Sequence, residues 1–205
     1  MADILALDKA GKRRARPANV KSVDKAPDKR GAAVASLANG KPSRSKVADP
    51  ASWFNAKANR TERHLLLVDL YQADPMRRVE LVKIGVPAAG FVVLASNLHM
   101  PKERLASTLG LARATVDRKI RDNKVLSPDE SSRVLGMASL VGQVQSLVAE
   151  SGRTQGFDAG EWVSNWLDKS VPALGDRRPA ELMDTAEGQA IVSRLVAQMQ
   201  SGAYA

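Results

Sequence analysis

The run from Pro101 to Ile120 constrains the fold of this chain most. Leu105, Ala106 and Leu109 fall on one face of a helix, and Pro101 suits its first turn, where a missing N–H costs nothing. Gly110 follows, the residue that most readily takes the left-handed conformation that ends a helix. Leu111 then plugs the corner, and Val116 with Ile120 turn toward the same core. Two short helices joined by a glycine turn around one apolar centre make a helix-turn-helix. The candidate nucleic-acid contacts on its second helix are Arg113, Thr115, Arg118, Lys119 and Arg121, placed to meet phosphates or base edges. Asp117 and Asp122 are interleaved with them and would face the same phosphates, so reading DNA and serving as a scaffold or dimerisation surface both stay open.

The flanking sequence is helical throughout. The chain is 44% hydrophobic with only 4% aromatic residues, which favours cores of Ala, Leu and Val. Apolar residues cluster from Trp53 onwards. Leu65, Leu66, Val68, Leu70 and Tyr71, then Val79, Leu81, Val82 and Ile84, predict two helices separated at Asp74-Pro75. Gly85-Val86-Pro87 stops the second, and a third runs from Ala88 to Leu98. Ser127, Pro128 and Glu130 form a capping box with proline at the first helical position. From there Val134, Met137, Ala138, Val141, Val144 and Val148 recur at helical spacing until Gly152 to Gly156 breaks the pattern. Asp158 with Glu161 repeats the capping logic before Trp162, Val163, Trp166 and Leu167, where the two tryptophans are expected to pack within a small core. Pro179 starts a short helix, Thr185 caps the last, and Ile191, Val192, Leu195, Val196 and Met199 are its expected buried stripe.

These elements define an all-α chain with three parts. Residues 1–50 form a basic arm rich in Pro, Gly, Ser and Lys, with no apolar period, and read as disordered. Residues 51–133 form a helical helix-turn-helix domain, and residues 134–205 a small C-terminal helical domain. Residues 1–60 hold 14 Lys/Arg against 5 Asp/Glu, which leaves 17 of each in the remainder, so the net charge of +9 belongs to the arm. Such an arm serves either as a DNA contact or as a solubilising tail. Residues 96–133 carry 8 basic and 5 acidic residues, while residues 134–205 carry 5 and 8, so different partners at the two ends are expected. The chain has no cysteine, which excludes disulfides and thiolate metal sites. No stretch is long and apolar enough to span a bilayer, no secretory core opens the sequence, and the expected location is the cytoplasm.

The residues hold little catalytic chemistry. His64 and His99 lie far apart, neither in a metal or triad spacing, and both read as structural. No glycine-rich phosphate loop, nucleophile context or carboxylate pair is present, so the expectation is a protein that is not an enzyme and needs no metal or cofactor.

Several short motifs in sequence order carry a resemblance: Leu105-Ala106-x-x-Leu109-Gly110-Leu111; Leu126-Ser127 with Glu130 and Arg133; Trp166-Leu167 with Pro172-Ala173-Leu174-Gly175; Arg178-Pro179-x-Glu181-Leu182; and a closing Gly202-x-Tyr204. From about residue 76 to the end the chain resembles the MbcA/ParS/Xre antitoxin family, its helix-turn-helix being the Xre-like part. The resemblance implies a cognate toxin with a RES domain, related to ADP-ribosyltransferases and acting on NAD. It implies that the C-terminal domain docks over the toxin's cleft with Gly202, Ala203, Tyr204 and Ala205 inserted, and the last helix behind them, with Arg194 and Met199, in support. It also implies a homodimer within a toxin-antitoxin complex, with operator DNA as a further partner. Tyr204 supplies a large contact area with few rotors to freeze, and a terminal carboxylate can pair with cations that hold a dinucleotide phosphate. The competing expectation is a stand-alone transcription regulator. The basic arm before residue 60 has no counterpart in the family pattern.

Overall fold

The computed structural model describes Phe54 and residues 59–152 and 156–200. The arm, Trp53 and residues 202–205 lie outside the described residues, and so does the middle of the expected break between Gly152 and Gly156. Among the described residues eight α-helices follow one another: α1 (Arg60–Gln72), α2 (Pro75–Ile84), α3 (Ala88–Asn97), α4 (Lys102–Thr108), α5 (Arg113–Arg121), α6 (Pro128–Glu150), α7 (Ala159–Trp166) and α8 (Ala186–Gln200). Two 3-10 turns, Pro172–Leu174 and Pro179–Leu182, lie between the last two. Among the described residues there is no strand, only two isolated bridges.

Local chemistry sets the boundaries. Asn59 and Glu62 exchange 2.9 Å hydrogen bonds in a capping box that starts α1. Asp74 caps α2 through Met76 N–H, with Pro75 at the first helical position. Helices α3, α4 and α5 end in one way. A left-handed residue, His99, Gly110 or Asn123, lets the next N–H reach back to a carbonyl five residues earlier: Met100 to Ala95, Leu111 to Ala106 and Lys124 to Lys119. These tight reversals bring α3, α4 and α5 around Leu105, Leu109 and Val116, all buried, with Leu111 at the corner. The helix-turn-helix is as the sequence predicts.

The long helix α6 organises the rest. It starts in the expected capping box at Ser127, Pro128 and Glu130, and packs against α1, α2, α7 and α8. Glycines on α6 permit close approach. A Cβ at Gly142 would lie 2.0 Å from the Leu67 carbonyl oxygen of α1. On the α8 side Gln143, buried, donates to the Ser193 carbonyl at 3.0 Å, and the Ser193 hydroxyl donates back to its amide oxygen at 2.7 Å. A mutually satisfied polar pair of this kind fixes the register of two helices that apolar contacts alone would let slide. The boundary expected at residues 133 and 134 falls inside α6, so both halves share this helix and one continuous core.

One expected core residue is open. Ile191 is 42% exposed, whereas Val192, Leu195 and Val196 are buried and Met199 packs against the core. The buried stripe of α8 is centred on the Val192–Val196 line, and at about 100° per residue Ile191 falls on its flank.

Candidate interaction surfaces

The outer surface of α4 and α5 is a lattice of ion pairs. Arg113 reaches Glu103 of α4 at 3.0 Å and Asp117, one turn along α5, at 3.6 Å. Lys102 approaches the other oxygen of Asp117 at 3.8 Å. Arg121 and Lys124 share Asp122 at 3.9 and 3.7 Å. Lys119 is mostly buried and bonded to Glu130, the same carboxylate that closes the α6 capping box. Burial pushes the Glu130 carboxyl up, but hydrogen bonds from Lys119 and from the Ser127 backbone and hydroxyl outweigh it and hold the group below the ordinary carboxylate value. Thr115 is half-buried. Of the five expected DNA contacts, only Arg118 is exposed without an ion pair among the described residues. Sequence reading noted Asp117 and Asp122 but missed Glu103 and Glu130, which lie on other helices and converge only through the turn.

Arg133 ties this element to the C-terminal half. Its guanidinium donates to the carbonyls of Leu109 and Gly110, both at 2.9 Å, and pairs with Asp129, so a side chain of α6 caps the end of α4. From the other side Arg104 of α4 pairs with Asp168 and reaches the Ser164 carbonyl at 3.3 Å, beyond the end and within α7. His99 bonds through Nε2 to Asp158, the α7 cap, at 3.0 Å. His99 is thus a structural clasp between α3 and α7, as expected of it.

In the C-terminal half the tryptophans stack 5.5 Å apart, with Trp166 buried and Trp162 packed on the core, so they hold α7 rather than present it. Thr185 caps α8 through Gly188 N–H at 3.1 Å. The face of α8 away from α6 carries Glu187, Ile191 and Arg194, all exposed. Among the described residues Arg194 donates only to the Ala190 carbonyl of its own helix, at 3.2 Å. Met199 is half-buried near the end of α8. The expected inserted residues, Gly202 to Ala205, follow immediately and lie outside the described residues. Among the described residues no three His, Asp or Glu side chains gather as a metal site, and no helix is long and apolar enough to cross a membrane.

Comparison with known proteins matches two consecutive regions. Residues 77–139, from α2 into α6, match the antitoxin Xre-like helix-turn-helix domain. Residues 155–202, covering α7, both 3-10 turns and α8, match the antitoxin Xre/MbcA/ParS C-terminal toxin-binding domain. The chain is also 48% identical over 136 residues to the Prs ADP-ribosylating antitoxin of Sphingobium sp. (strain YBL2), an alignment that spans 66% of this chain and 86% of that relative. The two matched regions fall on the helix-turn-helix and on the helical part that Arg133 and Arg104 clasp to it, and the chain belongs to the Xre/MbcA/ParS family of antitoxins.

Proposed function

We propose that this antitoxin neutralises a RES-domain toxin that transfers ADP-ribose from NAD or degrades NAD, by seating its C-terminal domain over the toxin's cleft and inserting residues 202–205. The observation that carries this reading is the open outer face of α8 within the matched toxin-binding region. The toxin-binding match closes at residue 202, just past α8, and the outer face of that helix, with Ile191 and Arg194, is uncovered. A rigid helix delivered this way positions a short terminal segment at little entropic cost. Tyr204 then supplies apolar contact area, while Arg194 supplies charge at the rim of the cleft. The name of the Sphingobium relative, Prs ADP-ribosylating antitoxin, supports this class of chemistry for the partner.

The second helix of the helix-turn-helix supports an assembly role better than DNA reading, because three of its four cations, Arg113, Lys119 and Arg121, are already compensated by Glu103, Asp117, Glu130 and Asp122, which leaves Arg118. Repression of its own operon would then need phosphate contacts elsewhere.

Deletion of residues 202–205 tests the proposal. Co-expressed with its toxin, the truncated chain is expected to keep its helical spectrum and melting temperature, yet leave NAD consumption or ADP-ribosyl transfer active. Full inhibition by the truncated chain would sink tail insertion; a toxin that never touches NAD would sink the RES assignment.

A further inference from the structure

Apolar exposure gathers on one element. Of seven large hydrophobic side chains left open among the described residues, Met76, Val79 and Ile84 are on α2. Val79 edges an open groove of about 530 Å³ between α2, α6 and α8, floored by Val82, Leu135 and Leu140. The α8 wall is low there, built of Ala186 and Ala190, so an incoming side chain meets the floor.

The charge of this groove comes from one side. Arg78 and Lys83, about 7.5 Å apart along the α2 axis, are the charged residues of the lining, and α6 and α8 contribute no charge to it. Among the described residues neither cation makes an ion pair, whereas neighbouring Arg77 is matched by Glu80 at 2.9 Å. An apolar floor beside two uncompensated cations fits an apolar ridge flanked by carboxylates.

The α8 wall indicates what brings that ridge. All of it lies within the region matched to the toxin-binding domain, whereas Arg78 and Lys83 lie within the region matched to the helix-turn-helix domain. The wall also adjoins the open face of α8. Ala190 and Ser193 border the groove, and Ile191 and Arg194, each one position further along the helix, are exposed. A partner seated on that face therefore meets the groove as a continuation of the same surface.

We propose that the toxin's footprint extends from α8 across the groove onto α2, and that Arg78 and Lys83 select a toxin ridge with an apolar crest and flanking carboxylates. The helix-turn-helix half then takes a direct part in recognising the toxin and supplies the charge of the groove. This contact rests on the seating of the C-terminal domain against the toxin, and not on the insertion of residues 202–205.

The affinity of the full chain for the toxin that co-purifies with it tests the proposal. Lys83→Glu should weaken binding about tenfold at low salt, and its gap to the parent should shrink as salt rises. Ala190→Arg adds charge of the favourable sign but fills the groove, and should weaken binding about tenfold at low and high salt alike. An effect of net charge alone would tighten it instead. Both positions are exposed, so an unchanged melting temperature separates a lost contact from misfolding. If either variant unfolds the chain, Lys83→Gln and Ala190→Lys replace them, each with about a threefold loss expected. The proposal is overturned if either variant binds the toxin like the parent, if Ala190→Arg tightens binding, or if salt leaves the Lys83→Glu gap unchanged. It is equally overturned if the variants alter only the mass of the chain by itself in sedimentation, since the groove would then seat a second copy. Deleting residues 202–205 in parallel keeps the two readings apart. A deleted chain that inhibits like the parent sinks tail insertion while losses at Lys83 and Ala190 uphold the groove, and lost inhibition with no effect at Lys83 upholds the tail and overturns the groove.

Discussion

Two cationic surfaces of this antitoxin use the same residue types to opposite effect. On α4 and α5, the helices a sequence reader assigns to DNA, Arg113 is shared by Glu103 and Asp117 and Lys119 is bonded to Glu130. On α2, which has no such reputation, Arg78 and Lys83 stand beside an apolar groove without a carboxylate. The difference teaches that a cation's availability depends on the nearest anion in space, and that position on a second helix of a helix-turn-helix does not confer it. Ion pairs as exposed as those of Arg113 add little stability, so their main consequence is to reduce the field a phosphate would meet.

The groove side breaks most easily. A Cβ at Gly136 would lie 1.7 Å from the Gln189 amide oxygen. Gln189 bonds the Arg133 and Met183 carbonyls at 3.0 and 2.8 Å and so joins α6 to α8. Gly136→Ala should therefore cost about 2 kcal/mol in urea unfolding, from overpacking and two lost part-buried hydrogen bonds. It should leave any DNA affinity unchanged, since the α4–α5 pairs lie elsewhere. A loss under half that size means the amide relocates freely and α8 is not held by it.

The same contrast marks what sequence can show. The helix-turn-helix was legible because Gly110, Leu111 and the capping box at Ser127 act within a few residues of themselves. The bonding of Lys119 to Glu130 was not, because it needs the left-handed turn at Asn123 to fold α6 back on α5. The groove was illegible for a similar reason. Val79 and Val82 look like ordinary core positions of an amphipathic helix, yet Val79 is exposed at the rim of the groove between α2, α6 and α8, and only Val82 packs against the core. Ile191 misled in the same way, since periodicity places it beside the stripe but not inside it.

A smaller effect sharpens the other side. Replacing Glu103 by Gln and Asp117 by Asn frees Arg113 and Lys102 without touching the core. The doubly substituted chain should bind duplex DNA about tenfold tighter at low salt, with a slope against log salt steeper by about 2, since each added phosphate contact contributes roughly 0.9. Stability should move by less than about 0.5 kcal/mol. A gel-shift series over salt reads both numbers. An unchanged slope would mean that these cations do not approach phosphate even when released, and that the α4–α5 face is wholly an assembly surface.

The smallest expected effect concerns the one carboxylate that serves both the helix cap and the α5 cation. Glu130 accepts from Ser127 N–H at 2.7 Å and from Lys119, and its carboxyl lies below the ordinary value of 4.5 in the folded chain. A lowered folded value means that the ionised form is the one folding favours. Its stabilisation is then fully present above about pH 4.5 and fades as pH falls through the folded value. Glu130→Gln keeps a hydrogen-bonding amide at the cap but removes the charge, and should cost about 1 kcal/mol at pH 7. The gap between parent and variant should narrow as unfolding is repeated at lower pH. A gap that persists undiminished at pH 3 would assign the cost to lost shape at the cap, and would leave Lys119 as a cation that α5 could release to another partner.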